Sequence, residues 1–290
     1  MKKLIKSLYN LLPFKKNVFI FIRIFSLPKW IYQHLYFEGI ISIRVADRSF
    51  KMIHYGYELE NEIFWKGLEE GWEKTSMKIW TELSQRSKYI VDAGANTGVF
   101  SLVSKSVNSD ARVFAFEPVQ RVFDKLDRNI KLNRFDITPI RKGLSNFEGT
   151  AMIYDLPTDH VYSVTININT NPPDCMVIPT EVEVTTLDAY CKQTGLEEID
   201  LLKIDVETHE PAVLEGALNI FRKSQPAMII EILNKEVADR VNEILKEFDY
   251  VFFSLNEKSG PVSRSKVGDH DFGNYLICKR SVAASLKLVV

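Results

Sequence analysis

The apolar positions change period along the chain, and each change marks an element. Ile41, Ile43 and Val45 alternate with polar neighbours, residues 46–49 supply a turn, and Phe50, Met52 and Ile53 return, which predicts a β-hairpin. Residues 58–85 shift to helical spacing, with Trp65, Leu68 and Trp72 followed by Met77, Trp80 and Leu83. From residue 88 short apolar runs alternate with helical faces. A strand over 89–92 precedes a helix after Gly98. A strand over 112–117 precedes a helix carrying Val119, Val122, Phe123, Leu126 and Ile130, and a short strand covers 138–141. Such alternation predicts right-handed crossovers and a parallel sheet with helices on both faces.

Residues 145–186 break that rhythm. Three β segments, over 150–154, 163–169 and 181–185, are joined by loops rich in Pro and Asp, as expected of an insertion that shapes a substrate pocket. The rhythm then resumes with a helix from 187 and a buried strand over 199–205. Pro211 sits just inside a helix that carries Val213, Leu214, Ala217, Leu218 and Phe221. A strand over 227–232 and a helix capped by Asn234 follow. Strands over 251–255 and 275–279, joined by a Gly/Ser-rich loop without a helix, are expected to run antiparallel. The chain thus divides into an N-terminal α+β appendage (1–84), an α/β doubly wound domain (85–280, with the insertion at 145–186) and a C-terminal tail (281–290).

Composition narrows the class. At 290 residues, 46% hydrophobic and 26% charged, the chain can bury a large core and reads as a soluble globular protein. A net charge of −1 argues against nucleic acid as a partner. Cys175, Cys191 and Cys278 lie far apart with no metal-ligand spacing, which argues against a disulfide framework or a zinc site and favours a cytoplasmic setting. The best apolar run, 18–25, is too short to span a bilayer and contains Arg23. Pro13, Lys15 and Lys16 interrupt any signal-peptide pattern. Residues 1–37 nevertheless carry seven Lys or Arg and no Asp or Glu, interleaved with apolar residues. Two readings stay open here: a basic amphipathic segment on the anionic inner face of a membrane, or a helical hairpin packed on the domain with its lysines in water.

The candidate chemistry starts where the strand ending in Asp92 turns through Gly94 and Gly98 into a helix. That geometry lets backbone N–H groups and a helix N-terminus approach a ligand. Nineteen positions beyond Gly98 the next strand ends in Glu117, where doubly wound folds place the acid that accepts ribose hydroxyls. Individually these residues are a helix cap, a plain turn and a strand-end charge; together they form one constellation. Dinucleotide sites have glycine near position 92. A carboxylate there repels a pyrophosphate and favours a cationic sulfonium. A nicotinamide-dependent oxidoreductase, the alternative, therefore lacks a glycine in register, whereas Asp-x-Gly-x-x-x-Gly with a strand-end Glu resembles the S-adenosylmethionine site of class I methyltransferases.

The resemblance narrows. Residues 91–98 (Val-Asp-Ala-Gly-Ala-Asn-Thr-Gly), 115–118 (Ala-Phe-Glu-Pro), 186–188 (Thr-Leu-Asp), 202–207 (Leu-Lys-Ile-Asp-Val-Glu) and 213–217 (Val-Leu-Glu-Gly-Ala) follow the order of the FkbM family of methyltransferases. The likeness covers about residues 85–280. It implies a class I, Rossmann-like sheet with a terminal antiparallel strand. It also implies methyl transfer from S-adenosylmethionine to a hydroxyl of a sugar, a glycan or another natural product. By position, Asp92, Gly94, Asn96 and Gly98 would line the methionine end, Glu117 the ribose, and Ser145 and Asn146 the adenine. One position departs: the family often has Gly after Asp-Val-Glu, and here it is Thr208.

A sulfonium is an activated donor, so the protein must align the acceptor and, for a hydroxyl, help remove its proton. Asp205, Glu207 and His209 stand where the strand over 201–205 leaves the sheet, and His209 has the intrinsic pKa suited to a base. Their alternative roles are helix capping and loop support. Glu231, ending the strand over 228–231, is the candidate to hold the acceptor. Asp205, Glu207, His209 and Glu231 also offer ligand atoms to a divalent ion, though no metal is expected. His160 and Tyr162 in the insertion are weaker candidates for substrate contact. A non-catalytic binding protein of the same fold would not need Asp205, Glu207 and His209 together.

Overall fold

The computed structural model describes residues 15–155, 164–165 and 178–289. Alternating apolar residues fold into the hairpin of β1 (Gly39–Val45) and β2 (Arg48–His54), with Ile43 opposite Phe50 and Ile41 opposite Met52. Strict alternation makes His54, rather than Ile53, the third inward residue of β2. Burial pushes its imidazole down to about 4, and Nδ1 accepts the Gly56 N–H at 3.0 Å. Helices Glu58–Glu70 and Lys74–Ser84 follow.

The central sheet holds eight strands. In chain order they are β3 (Tyr89–Ala93), β4 (Arg112–Phe116), β5 (Ile137–Ile140), β10 (Leu201–Ile204), β11 (Ala227–Ile232), β12 (Val251–Asn256), β13 (Gly260–Arg264) and β14 (Gly273–Cys278). Their spatial order is β13-β12-β14-β11-β10-β3-β4-β5. Strands β5, β4, β3, β10 and β11 are mutually parallel, while β14 runs antiparallel to both β11 and β12. This is a doubly wound, Rossmann-like sheet with two reversed strands, β14 and β13, toward one end. The stretch between the last two expected strands is more than a loop. Asn256 Oδ1 accepts the N–H groups of Lys258 and Ser259, and this turn brings β13 back antiparallel onto β12.

The insertion forms a separate four-stranded sheet in the order β6-β9-β7-β8, from β6 (Gly143–Leu144), β7 (Gly149–Asp155), β8 (Val164–Thr165) and β9 (Ile178–Thr185). Val182, Val184 and Ile153 pack on Val119 and Val122, which fastens this sheet to the start of helix Gln120–Asn133. His160, Tyr162 and most of the expected strand over 163–169 lie outside the described residues.

Alternate residues of the parallel strands feed two cores. Ile90, Val113, Ala115, Leu201 and Ile229 meet the hairpin, the two helices after it and helix Val99–Val107; Val91, Phe114, Leu202, Met228 and Ile230 meet helices Glu210–Glu215, Leu218–Ser224 and Lys235–Leu245. The appendage therefore shares a core with the sheet. Asn129 strengthens that join: it accepts the Ile53 N–H at 2.9 Å and donates to the Thr97 carbonyl at 2.9 Å, tying the hairpin edge to the glycine turn. Helix Arg280–Ser285 follows β14 and buries Ala283 in the same core. The chain leaves β3 toward β4 and β5, and leaves β10 toward β11 and β14. The strand order thus reverses between β3 and β10, and a crevice opens at their carboxyl ends.

Candidate active site

The turn after β3 is shaped by three residues with positive φ: Gly94 (79°), Asn96 (52°) and Gly98 (93°). The N–H groups of Gly94 and Ala95 both reach the Phe116 carbonyl, at 3.1 and 2.8 Å, which pins the turn to the end of β4. A side chain at 94 has no room, because a Cβ there would lie 1.9 Å from the Asp205 carbonyl oxygen. The tips of β3 and β10 thus close on each other through backbone alone.

Asp92 is buried beneath this turn. Its Oδ2 accepts from Ser101 Oγ at 2.6 Å and from the Ser101 N–H at 3.1 Å, so it caps helix Val99–Val107 from the neighbouring strand. Burial pushes its carboxyl up to about 6, against the Ser101 hydrogen bonds and the Lys203 charge. Glu117 is held with one oxygen on the Asn96 N–H (3.1 Å) and the other on the Val119 N–H (3.0 Å). Burial raises it to about 7 despite those bonds. Each carboxylate oxygen has two acceptor sites, so Glu117 can still receive hydrogen bonds from a ligand in the crevice.

Strand β10 supplies the other wall. Lys203 interrupts an apolar strand, and its Nζ lies 3.0 Å from Asp205 Oδ2 with only 1% of the side chain exposed. Burial works against both charges, but the pair outweighs it: Asp205 is held below the usual carboxylate range and Lys203 above its ordinary value. Glu231, at the tip of β11, hydrogen-bonds Asp205; burial and then the Asp205 charge push it up to about 9. Near neutral pH Glu231 is therefore the protonated partner of an ionised Asp205.

Beyond Asp205 the backbone takes two left-handed steps, Glu207 (φ 54°) and Thr208 (φ 78°). Glu210 supports them by accepting the N–H groups of Val206 and Thr208, both at 3.2 Å. Thr208 thus occupies the conformation that glycine adopts without penalty, which gives the departure from the family pattern a physical meaning. Replacing Thr208 by glycine is expected to stabilise the protein by about 0.5–1 kcal/mol, the left-handed penalty exceeding the extra chain entropy. A denaturant midpoint that falls, at unchanged slope, would contradict this. Glu207 is pushed up to about 7, by burial and then by the Asp205 charge. His209 is lowered by burial and places Nε2 3.0 Å from Ser145 Oγ.

These groups enclose a cavity of about 300 Å³ lined by Asp92, Gly94, Asn96, Glu117, Asp205, Glu207, His209 and Glu231 among others. Ser145 and Asn146 stand behind this wall. Ser145 meets His209, and Asn146 donates to Glu215 at 2.7 Å. Gly98 starts the helix, its N–H on the Ala95 carbonyl at 2.8 Å. Lys203, Trp72 and Glu73 are among the lining residues that had no site role in the sequence reading. A lysine inside an apolar strand is a usable signal, since a buried charge must be paired. Glu73 carries no such signal. The corner between two helices of the appendage brings it there at φ 47°, facing the Lys203 charge, and burial raises it to about 7. Glu73 Oε2 and Asn96 Oδ1 are buried and lack hydrogen-bond partners among the described residues. No group of three or more His, Cys, Asp or Glu arranged for a metal ion occurs among the described residues.

The model of the methyltransferase FkbM domain matches residues 92–252, more than half of the chain. Methyltransferase sdnD of Sordaria araneosa is 32% identical over 154 residues, covering 44% of this chain and 60% of that protein. Hexuronic acid methyltransferase AglP of Haloferax volcanii is 27% identical over 171 residues, covering 59% and 66%. The 2-O-methyltransferase NoeI of Sinorhizobium fredii is 27% identical over 169 residues, covering 52% and 66%. The chain thus spans under two thirds of the length of these curated relatives. Among solved structures, an FkbM methyltransferase of Methylobacillus flagellatus aligns with a TM-score of 0.43 at 19% identity, covering 66% of this chain and 43% of that one.

Proposed function

Since the chain belongs to the FkbM methyltransferase family, we propose that it transfers a methyl group from S-adenosylmethionine to a hydroxyl of a sugar, a glycan or another natural product. The observation that carries this reading is the acid-lined crevice at the β3/β10 switch point. Its described lining includes Glu73, Asp92, Glu117, Asp205, Glu207 and Glu231, with Lys203 as the one Lys or Arg, already held by Asp205. Carboxylates suit a sulfonium, an ammonium group and ribose hydroxyls; they would repel the pyrophosphate of a dinucleotide.

In this reading the bound cofactor supplies an electrophilic methyl group. Glu117, fixed by two N–H groups, holds the ribose hydroxyls, and the turn at 94–98 receives the methionine end. Asp205 stays ionised and orients the protonated Glu231. Glu207, raised to about 7, takes the proton from the acceptor hydroxyl as the methyl is transferred, because a base works best near the ambient pH. His209, lowered by burial and engaged with Ser145, is neutral there and positions the loop. The acceptor class is supported by the relatives, one named for hexuronic acid and another for 2-O-methylation.

The test is calorimetric titration of S-adenosylmethionine into the Glu117→Ala variant. Losing hydrogen bonds from two ribose hydroxyls should weaken binding about 10- to 100-fold, with the thermal midpoint checked for folding. Unchanged affinity would remove Glu117 from the cofactor site and this reading with it.

A further inference from the structure

Helix Lys15–Ile22 and the turn Arg23–Phe25 are apolar on both sides. The inner side is fastened: Phe19 is buried against Phe37 and Trp65, with ring centroids 5.9 and 5.7 Å apart, and Tyr32 stacks on Trp65 at 6.0 Å. The outer side bears Ile20, Phe21, Ile24, Phe25 and, after the turn, Trp30, each between 50% and 74% exposed. A helix apolar all round is normally covered, and five neighbouring large apolar residues in water mark an interaction surface.

The charge around the patch selects what covers it. Lys15, Lys16, Arg23 and Lys29 flank the apolar residues, and the sequence before them adds Lys2, Lys3 and Lys6 with no Asp or Glu. Lys29 also pairs with Glu62 at 3.4 Å, yet its side chain remains 58% exposed. A second copy docking face to face would oppose like charges. An anionic lipid surface complements them, and an exposed tryptophan beside lysines suits the membrane–water boundary. We propose that the outer face of residues 16–30 seats the protein on an anionic membrane, with Phe21, Ile24, Phe25 and Trp30 entering the headgroup layer. Among the described residues no helix is long and apolar enough to cross a membrane. Helix Glu58–Glu70 carries both Trp65, which fastens this segment, and Leu59, which lines the cavity. Six residues of helix place them ~9 Å apart along one element, which links the seat of this segment to the cavity wall.

Co-sedimentation of the full chain with vesicles tests this independently of the methyl acceptor. Vesicles of phosphatidylcholine with about a quarter phosphatidylglycerol should pellet the protein, and pure phosphatidylcholine should pellet far less. Added salt should weaken binding, and Lys16→Glu should reduce it about fivefold or more. The combined variant Phe21→Glu, Ile24→Glu, Phe25→Glu should lose binding at least tenfold while keeping its thermal midpoint and its affinity for S-adenosylmethionine. Equal recovery with and without anionic vesicles overturns the proposal, as does binding retained by the triple variant. So does a concentration-dependent dimer, seen by sedimentation velocity and abolished by the triple variant, which would assign the face to a second copy.

Discussion

Replacing Lys203 by methionine is expected to cost about 3–5 kcal/mol of stability at neutral pH and to abolish methyl transfer. Lys203 is the cation facing Asp205, Glu73 and Glu231, and methionine fills its volume while leaving Asp205 buried without a counter-charge. The pH dependence separates this cause from poor packing. In the native protein burial raises Asp92 to about 6, Glu117 and Glu207 to about 7 and Glu231 to about 9. Groups raised in the folded state contribute stability below their unfolded values, and lose it as pH climbs through the folded ones. Asp205 has the opposite sign, because its folded value is depressed and its contribution is lost on acidification. Without Lys203, Asp205 joins the raised group. The variant's thermal midpoint should therefore fall more steeply than the native one between about pH 5 and about pH 8. Adding Asp205→Asn should recover much of the loss. A variant with native pH slope and no rescue by Asp205→Asn would show that Lys203 serves packing alone.

Gly94→Ala is expected to be comparably severe, on the order of 3 kcal/mol or more, with S-adenosylmethionine binding lost. Two terms add. The residue sits at φ 79°, and its new methyl would lie 1.9 Å from the Asp205 carbonyl oxygen, an atom of the adjoining backbone that cannot rotate away. Relief requires the tips of β3 and β10 to separate, which displaces the cavity wall. Gly98→Ala provides the comparison. Its φ is 93°, but its methyl would meet Leu126 Cδ1 at 2.6 Å, the far end of a side chain that can change rotamer. Thermal unfolding and calorimetry on both variants should rank Gly94→Ala well below Gly98→Ala. Equal losses would mean that positive φ alone matters and that the close approach of the strands does not.

Much of the frame was legible because local rules governed it. Apolar runs and helical faces gave the parallel strands their order in the chain, and Gly94, Gly98 and Glu117 gave the crevice its position, since strand-end chemistry repeats at fixed spacing. The segment after Asn256 was less legible. Its return strand is short and polar, so the Asx turn that creates β13 carried the information instead. In the site, Asp205, Glu207, His209 and Glu231 were singled out as groups at one edge of the sheet. Their chemistry depends on which neighbour each one meets.

The sequence by itself determined the doubly wound class, the glycine turn that follows an aspartate and the acid at the tip of β4, because each follows from contacts within a few residues or one strand–helix unit. Only the tertiary structure decided that Lys203 neutralises Asp205, that Glu231 is its protonated partner and that Ser145 turns to His209. It alone brought Glu73 from the appendage into the same cavity and held Thr208 in a glycine-like conformation. Lys203 and Asp205, like Thr208 and its support Glu210, stand only two positions apart. The burial of each pair, Glu73 and Glu231 facing Lys203, and Ser145 beside His209 come from elsewhere in the chain, and no local pattern encodes which of them will arrive.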